Sequence, residues 1–178
     1  MQTQKTNFDK FEEEVVNKFN ELNNKNKEGW TNKDWTNGVK DAVGSVLKKR
    51  KYKVYASNRE QNDSGEWLYD LTGIEEEGDY FKSIPLVLES EWKWKNNQKK
   101  YEGEILYDFR KLLVSRADHR VMVLEVESEK KEKEVVERLL QHVQKCRHST
   151  EGDRYLFACC RQVEKKWVFD CSVYVVKG

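Results

Sequence analysis

Two hydrophobic periods alternate along this 178-residue chain. Trp35, Val39, Ala42, Val43, Val46 and Leu47 recur at steps of three and four, which predicts a helix, and Thr31 followed three residues later by Asp34 reads as a capping box at its start. Tyr52-Lys53-Val54-Tyr55-Ala56 alternates as a strand. The turn-rich run from Asn58 to Gly65 separates it from a second strand, Trp67-Leu68-Tyr69-Asp70-Leu71. A further turn, Glu75 to Gly78, leads to the apolar strand Ile84-Pro85-Leu86-Val87-Leu88, which ends in Glu89-Ser90-Glu91-Trp92-Lys93. Ile105, Leu106, Phe109, Leu112 and Leu113 form a helical stripe between about Gly103 and Ser115, and Val121 to Val126 reads as a buried strand. Another amphipathic helix (Val135, Val136, Leu139, Leu140, Val143) and strands at Tyr155 to Cys160 and Trp167 to Val176 follow. The expected fold class is α/β, a mixed central sheet flanked by helices.

Chemistry enters where the third strand turns charged. Successive side chains of an extended chain point to opposite faces, so Glu89, Glu91 and Lys93 line one face while Leu86, Leu88, Ser90 and Trp92 line the other. Like charges two residues apart on an otherwise apolar strand are unfavourable unless compensated, and a divalent cation is a common compensator. Asp70, on the neighbouring strand, completes a carboxylate cage.

An aspartate on one strand and an acidic residue, any residue and lysine on the next resembles the PD-(D/E)XK nuclease superfamily, whose fold is restriction-endonuclease-like. Two registers fit: Asp70 with Glu91-Trp92-Lys93 matches the letters, and Asp70 with Glu89-Ser90-Glu91 matches the usual place at the end of the apolar run, with glutamate where lysine is expected. The second is preferred, because Leu86 to Leu88 must occupy the buried middle of the strand. The order helix, three strands, helix, strand over residues 31 to 127 extends the resemblance to topology, with the last helix and strands as C-terminal additions. The resemblance implies a metal-dependent phosphodiesterase acting on nucleic acid, with DNA as the expected partner. Asp70, Glu89 and Glu91 would be the ligands of Mg²⁺ or Mn²⁺, and Lys93 or Lys111 would neutralise the phosphate. The alternative is a catalytically degenerate nuclease-fold module for binding or assembly. Taken alone, Lys93 opens a polar tract and Lys111 lies nearly opposite the Ile105/Phe109/Leu113 stripe, so each reads as a surface lysine; Asp108 reads as the i,i+3 helical partner of Lys111.

Charge narrows the functional classes. With 33 basic and 32 acidic residues the formal charge is +1, which gives no global attraction to a polyanion. Local basic runs remain, Lys48 to Lys51 with Lys53, and Lys93 to Lys100 interleaved with Trp92 and Trp94. No apolar run approaches the ~20 residues of a membrane span and the N-terminus lacks a signal-like stretch, so a cytoplasmic protein without a membrane partner is expected. Cys146, Cys159, Cys160 and Cys171 show no disulfide framework.

Residues 1–30 differ in composition from 31–178, the nuclease-like domain. Phe8, Phe11, Val15, Phe19 and Leu22 predict an amphipathic helix, and residues 23–29 a polar linker. Docking on its own domain is the favoured reading, since packing supplies most helix stability; pairing with another chain, as a homo-oligomer or with a protein partner, is the alternative.

Overall fold

The computed structural model describes residues 1–23, 29–57, 65, 67–92 and 98–178. A seven-stranded mixed sheet is formed by β1 (Gln2–Thr6), β2 (Lys53–Ala56), β3 (Leu71–Glu77), β4 (Tyr80–Glu91), β5 (His119–Glu125), β6 (Arg154–Val163) and β7 (Lys166–Lys177), in the order β1-β7-β6-β5-β4-β3-β2. β2, β3 and β4 form an antiparallel meander, β5 and β6 run parallel to β4, and β7 and β1 are antiparallel additions. The α/β class expected from the alternating periods is therefore the observed one.

Helices α1 (Lys10–Asn23), α2 (Asn32–Lys49), α3 (Gln98–Leu113) and α4 (Glu129–Lys145) cover the two faces. α1 and α2 pack with Leu86, Leu88, Val121, Val123 and Leu156, and an aromatic group of Phe19, Trp35, Trp92, Trp167 and Phe169 fills that layer. α3 and α4 pack on the other face with Val87, Met122, Leu124 and Phe157. The capping box is present: Thr31 Oγ1 accepts from Asp34 N at 3.3 Å, and Thr31 N donates to Asp34 Oδ2 at 2.8 Å. The apolar stripe of α1 is buried against α2 and β7, so Phe11, Val15, Phe19 and Leu22 belong to the same core as the rest of that face.

Several boundaries differ from the sequence expectation. Asp70 lies just before β3 rather than within it, because Leu68 has φ of 66° and breaks the extended run. Glu75, Glu76 and Glu77 are strand, not turn; they pair with Ser83, Phe81 and Tyr80 in a ribbon that bends back at Gly78 (φ 62°). β1 is an addition to the expected elements. Its polar sequence carries no alternating signal, and backbone pairing with β7 holds it at the sheet edge.

Helix–sheet contact is tightest at Gly73, where a Cβ would stand 2.6 Å from Leu47 Cδ2. Leu47 is fully buried, so its side chain can give way only by displacing its neighbours in the core. Gly73→Ala is expected to lower unfolding free energy by about 1–3 kcal/mol, the usual cost of overpacking, as measured by urea denaturation.

Candidate metal and phosphate site

The parallel strands β4 and β5 both end at one edge of the sheet, the edge where ligands bind in open α/β sheets. Leu71 pairs with Leu88, so Asp70 stands beside Glu89 across the ladder. Alternation along β4 sends Val87, Glu89 and Glu91 toward α3 and Leu86, Leu88, Ser90 and Trp92 toward α2, as the period of two requires.

Glu89 is 2% exposed and meets Lys111 Nζ at 2.5 Å. The same ammonium lies 2.8 Å from Asp108 Oδ1. Burial pushes the Glu89 carboxyl up to about 8; Lys111 opposes the shift, and the charges of Asp70 and Asp108 add to it. Glu91 is also pushed up to about 8, by burial first, then by a hydrogen bond with Asp108 and by the charges of Asp108, Glu104 and Asp70. Burial lowers the Lys111 pKa, but hydrogen bonds and charge from Asp108 and Glu89 outweigh it and hold the ammonium well above the ordinary lysine range. Two carboxyl groups, Glu89 and Asp108, thus close on one lysine, and Glu91 is hydrogen-bonded to Asp108 beside them.

Lys111 stands nearly opposite the apolar stripe of α3, as the helical angle demands, yet the four-carbon stem carries the head back to β4 and leaves the side chain only one-third exposed. Asp108 is the expected i,i+3 partner and also a member of the cluster. Lys93 and most of the tract Lys93 to Lys100 lie outside the described residues. In the other basic run Lys49 pairs with Glu14 and Lys53 with Glu76, at 3.6 and 2.5 Å.

Asp70 is held from the α2 side. Its Oδ2 accepts from Ser90 N at 2.9 Å and Ser90 Oγ at 2.8 Å, and its Oδ1 faces Lys40 Nζ at 3.4 Å. Lys40 is buried and also donates to Ser57 Oγ at 2.9 Å. Sequence reasoning passed over Lys40, although it shares the buried stripe with Val43 and Leu47, where a lysine signals a partner. Tyr69, also missed, is buried against α3 and donates to the Lys111 carbonyl at 3.4 Å. Tyr101, at the start of α3, donates its hydroxyl to Glu125 O and ties α3 to the end of β5.

A separate cluster lies at the opposite end of β5. Asp9, Glu12 and His119 bring ligand atoms within 4.8 Å of one another. Asp9 Oδ1 accepts from Phe11 N and Glu12 N, Asp9 N donates to Glu12 Oε2, and Arg154 binds Glu12 at 2.6 and 2.8 Å. Asp9 Oδ2 meets His119 Nε2 at 2.8 Å. This is a capping box for α1 anchored to the sheet by Arg154 and His119. Among the described residues no helix is long and apolar enough to cross a membrane.

Compared with known proteins, the chain matches no family model, no curated protein and no solved structure.

Proposed function

We propose that the protein is a metal-dependent phosphodiesterase acting on nucleic acid, PD-(D/E)XK-like, with Lys111 serving in place of the motif lysine. The observation that carries this reading is the meeting of Lys111 with Glu89 and Asp108, beside Asp70 and Glu91 at the ends of β3 and β4. The succession α2, β2, β3, β4, α3, β5, with an antiparallel meander and a parallel fourth strand, supports a restriction-endonuclease-like core to which α4, β6 and β7 are added.

The donor chemistry suits a hard divalent cation, but the three carboxylates do not converge as they stand: among the described residues the ligand atoms found within 4.8 Å of one another are those of Asp9, Glu12 and His119, and Asp70 would have to leave Ser90 and Lys40 to share an ion with Glu89. Asp70, Glu89 and Glu91 offer carboxylate oxygens; burial first, and neighbouring carboxylate charge second, pushes Glu89 and Glu91 up to about 8, and Mg²⁺ or Mn²⁺ would offset that cost of ionisation. When bound, such an ion provides a water nucleophile at neutral pH and offsets charge on the reacting phosphodiester. The side chains supply the rest. Lys111 would neutralise the phosphate, Glu91 in its carboxylate form would accept the proton of the attacking water, and Lys40 and Ser90 fix the orientation of Asp70.

The hold on Asp70 also favours a second reading. A carboxylate already occupied by Lys40 and Ser90 on both oxygens suits a degenerate site, in a protein that keeps the fold and works as a binding or assembly module. Incubation of the purified chain with single-stranded, duplex and branched DNA at low salt, with Mg²⁺ or Mn²⁺, separates the two. Metal-dependent breaks that vanish in Asp70→Ala and Glu89→Ala are expected. Intact DNA with both metals, while DNA or a protein partner is still bound, would select the module.

A further inference from the structure

Two aromatic side chains flank the acidic site and are left in solvent. Trp67 is 39% and Tyr107 64% exposed; the other exposed rings among the described residues, Tyr80 and Phe81, lie on the ribbon beyond Gly78, away from the acidic site. Trp67 precedes Asp70 by three residues, and Tyr107 is the α3 neighbour of Asp108.

The backbone at Trp67 is held in place. The Trp67 carbonyl accepts from Tyr69 N and from Thr72 Oγ1, each at 2.9 Å, and Thr72 is fully buried. Between them Leu68 takes a left-handed conformation, φ 66°, which a leucine rarely adopts and which costs free energy. The strained turn directs Leu68 outward, 72% exposed, while Trp67 rests on Tyr55 of β2 with ring centroids 6.3 Å apart. On the other side the Lys111 ammonium lies 5.8 Å from the Tyr107 ring, so a cation and a π-face are presented together. Tyr69 connects the two sides through its hydrogen bond to the Lys111 carbonyl.

We propose that this site takes unpaired nucleotides, their bases stacking on Trp67 and Tyr107 while the phosphate between them meets Lys111. The proposal rests on the phosphodiesterase reading of the same site and names its substrate class as single-stranded nucleic acid. A paired base hides both π-faces in the helical stack, so exposed rings attract bases only where the strand is open. The charge balance argues the same way: a formal +1 gives no global attraction to a duplex, and stacking supplies affinity that salt does not screen.

The test is anisotropy of the full chain with a labelled single strand of about 12 nucleotides and the matching duplex, in EDTA and again with Ca²⁺, followed by cleavage assays with Mg²⁺. The single strand should bind about tenfold or more tightly than the duplex. Trp67→Ala and Tyr107→Ala should each weaken single-strand binding about tenfold, and Trp67→Phe should restore most of it. Tyr107→Ala should leave the melting temperature unchanged, and Trp67→Phe, which keeps a ring on Tyr55, separates lost base stacking from lost packing. Equal affinity for duplex, or alanine variants that bind the single strand as the wild type does, would overturn the proposal. So would a dimer that Trp67→Ala converts to monomer with no effect on nucleic acid, which would make the rings an interface between copies. Metal-dependent cleavage that ignores both rings defeats the stacking and spares the phosphodiesterase. Ring-dependent binding without cleavage under any metal does the reverse.

Discussion

Lys111→Ala is expected to lower turnover of single-stranded DNA by about 10²–10⁴-fold while lowering unfolding free energy at pH 7 by only about 1 kcal/mol, through the lost ion pair with Asp108. The two effects separate because of Glu89. Its carboxyl, pushed up to about 8 chiefly by burial, is largely protonated at pH 7, so removing the ammonium at 2.5 Å leaves behind a neutral acid rather than an orphaned charge. Above pH 8 the wild type ionises Glu89 against Lys111, and the variant must ionise it against nothing. The variant should then fall further behind in stability as pH rises toward 9, in urea titrations at the two pH values. Lys131, an exposed lysine paired with Glu134 within α4, is the control, and Lys131→Ala should alter neither quantity. If Lys111→Ala turned over substrate as the wild type does, the phosphate would have to be met by another cation and the site assignment would fail.

The elements that bury a regular face are legible in the sequence. β4 carries its own orientation in the alternation from Leu86 to Glu91, and α2 announces both its buried stripe and its cap. Elements without a buried face are not. β1 is five polar residues whose place is set by β7, and the acid run Glu75 to Glu77 forms a ribbon beyond the helices, where no apolar period is needed. The site divides along the same line. Asp70, Glu89 and Glu91 stand out because charges on or beside an apolar strand conflict with their surroundings. Lys111 is reached only through the family resemblance, since its place depends on how α3 lies across the sheet and how far a flexible stem reaches. Trp67 and Tyr107 are hidden for a related reason: an aromatic residue in a sequence is assumed to be core, and only the fold shows which rings the core has left outside.

Glu89→Gln is expected to stabilise the protein increasingly as pH rises from about 5 to 8. An acid whose pKa is raised on folding binds an extra proton in the native state between its unfolded value of 4.5 and its folded value near 8, so native stability declines across that window. The largest cause is burial, which disfavours the carboxylate. Each pH unit in the window costs at most about 1.4 kcal/mol per such group, and glutamine, which keeps the shape of the protonated acid, removes the loss. Glu91 contributes a similar slope that survives in the variant, so wild type and variant should both decline, the wild type more steeply. Divalent metal should act in the opposite sense. Ligation requires the carboxylate, so binding releases the proton, and the metal-induced rise in melting temperature should be larger at pH 8.5 than at pH 6.5. In Glu89→Gln that rise should nearly disappear at both. Thermal melts with and without millimolar Mg²⁺ at the two pH values give all of these quantities. A steep wild-type pH slope with no metal shift would mean that the carboxylates are strained but recruit no cation, and the binding-module reading would take the place of the enzyme.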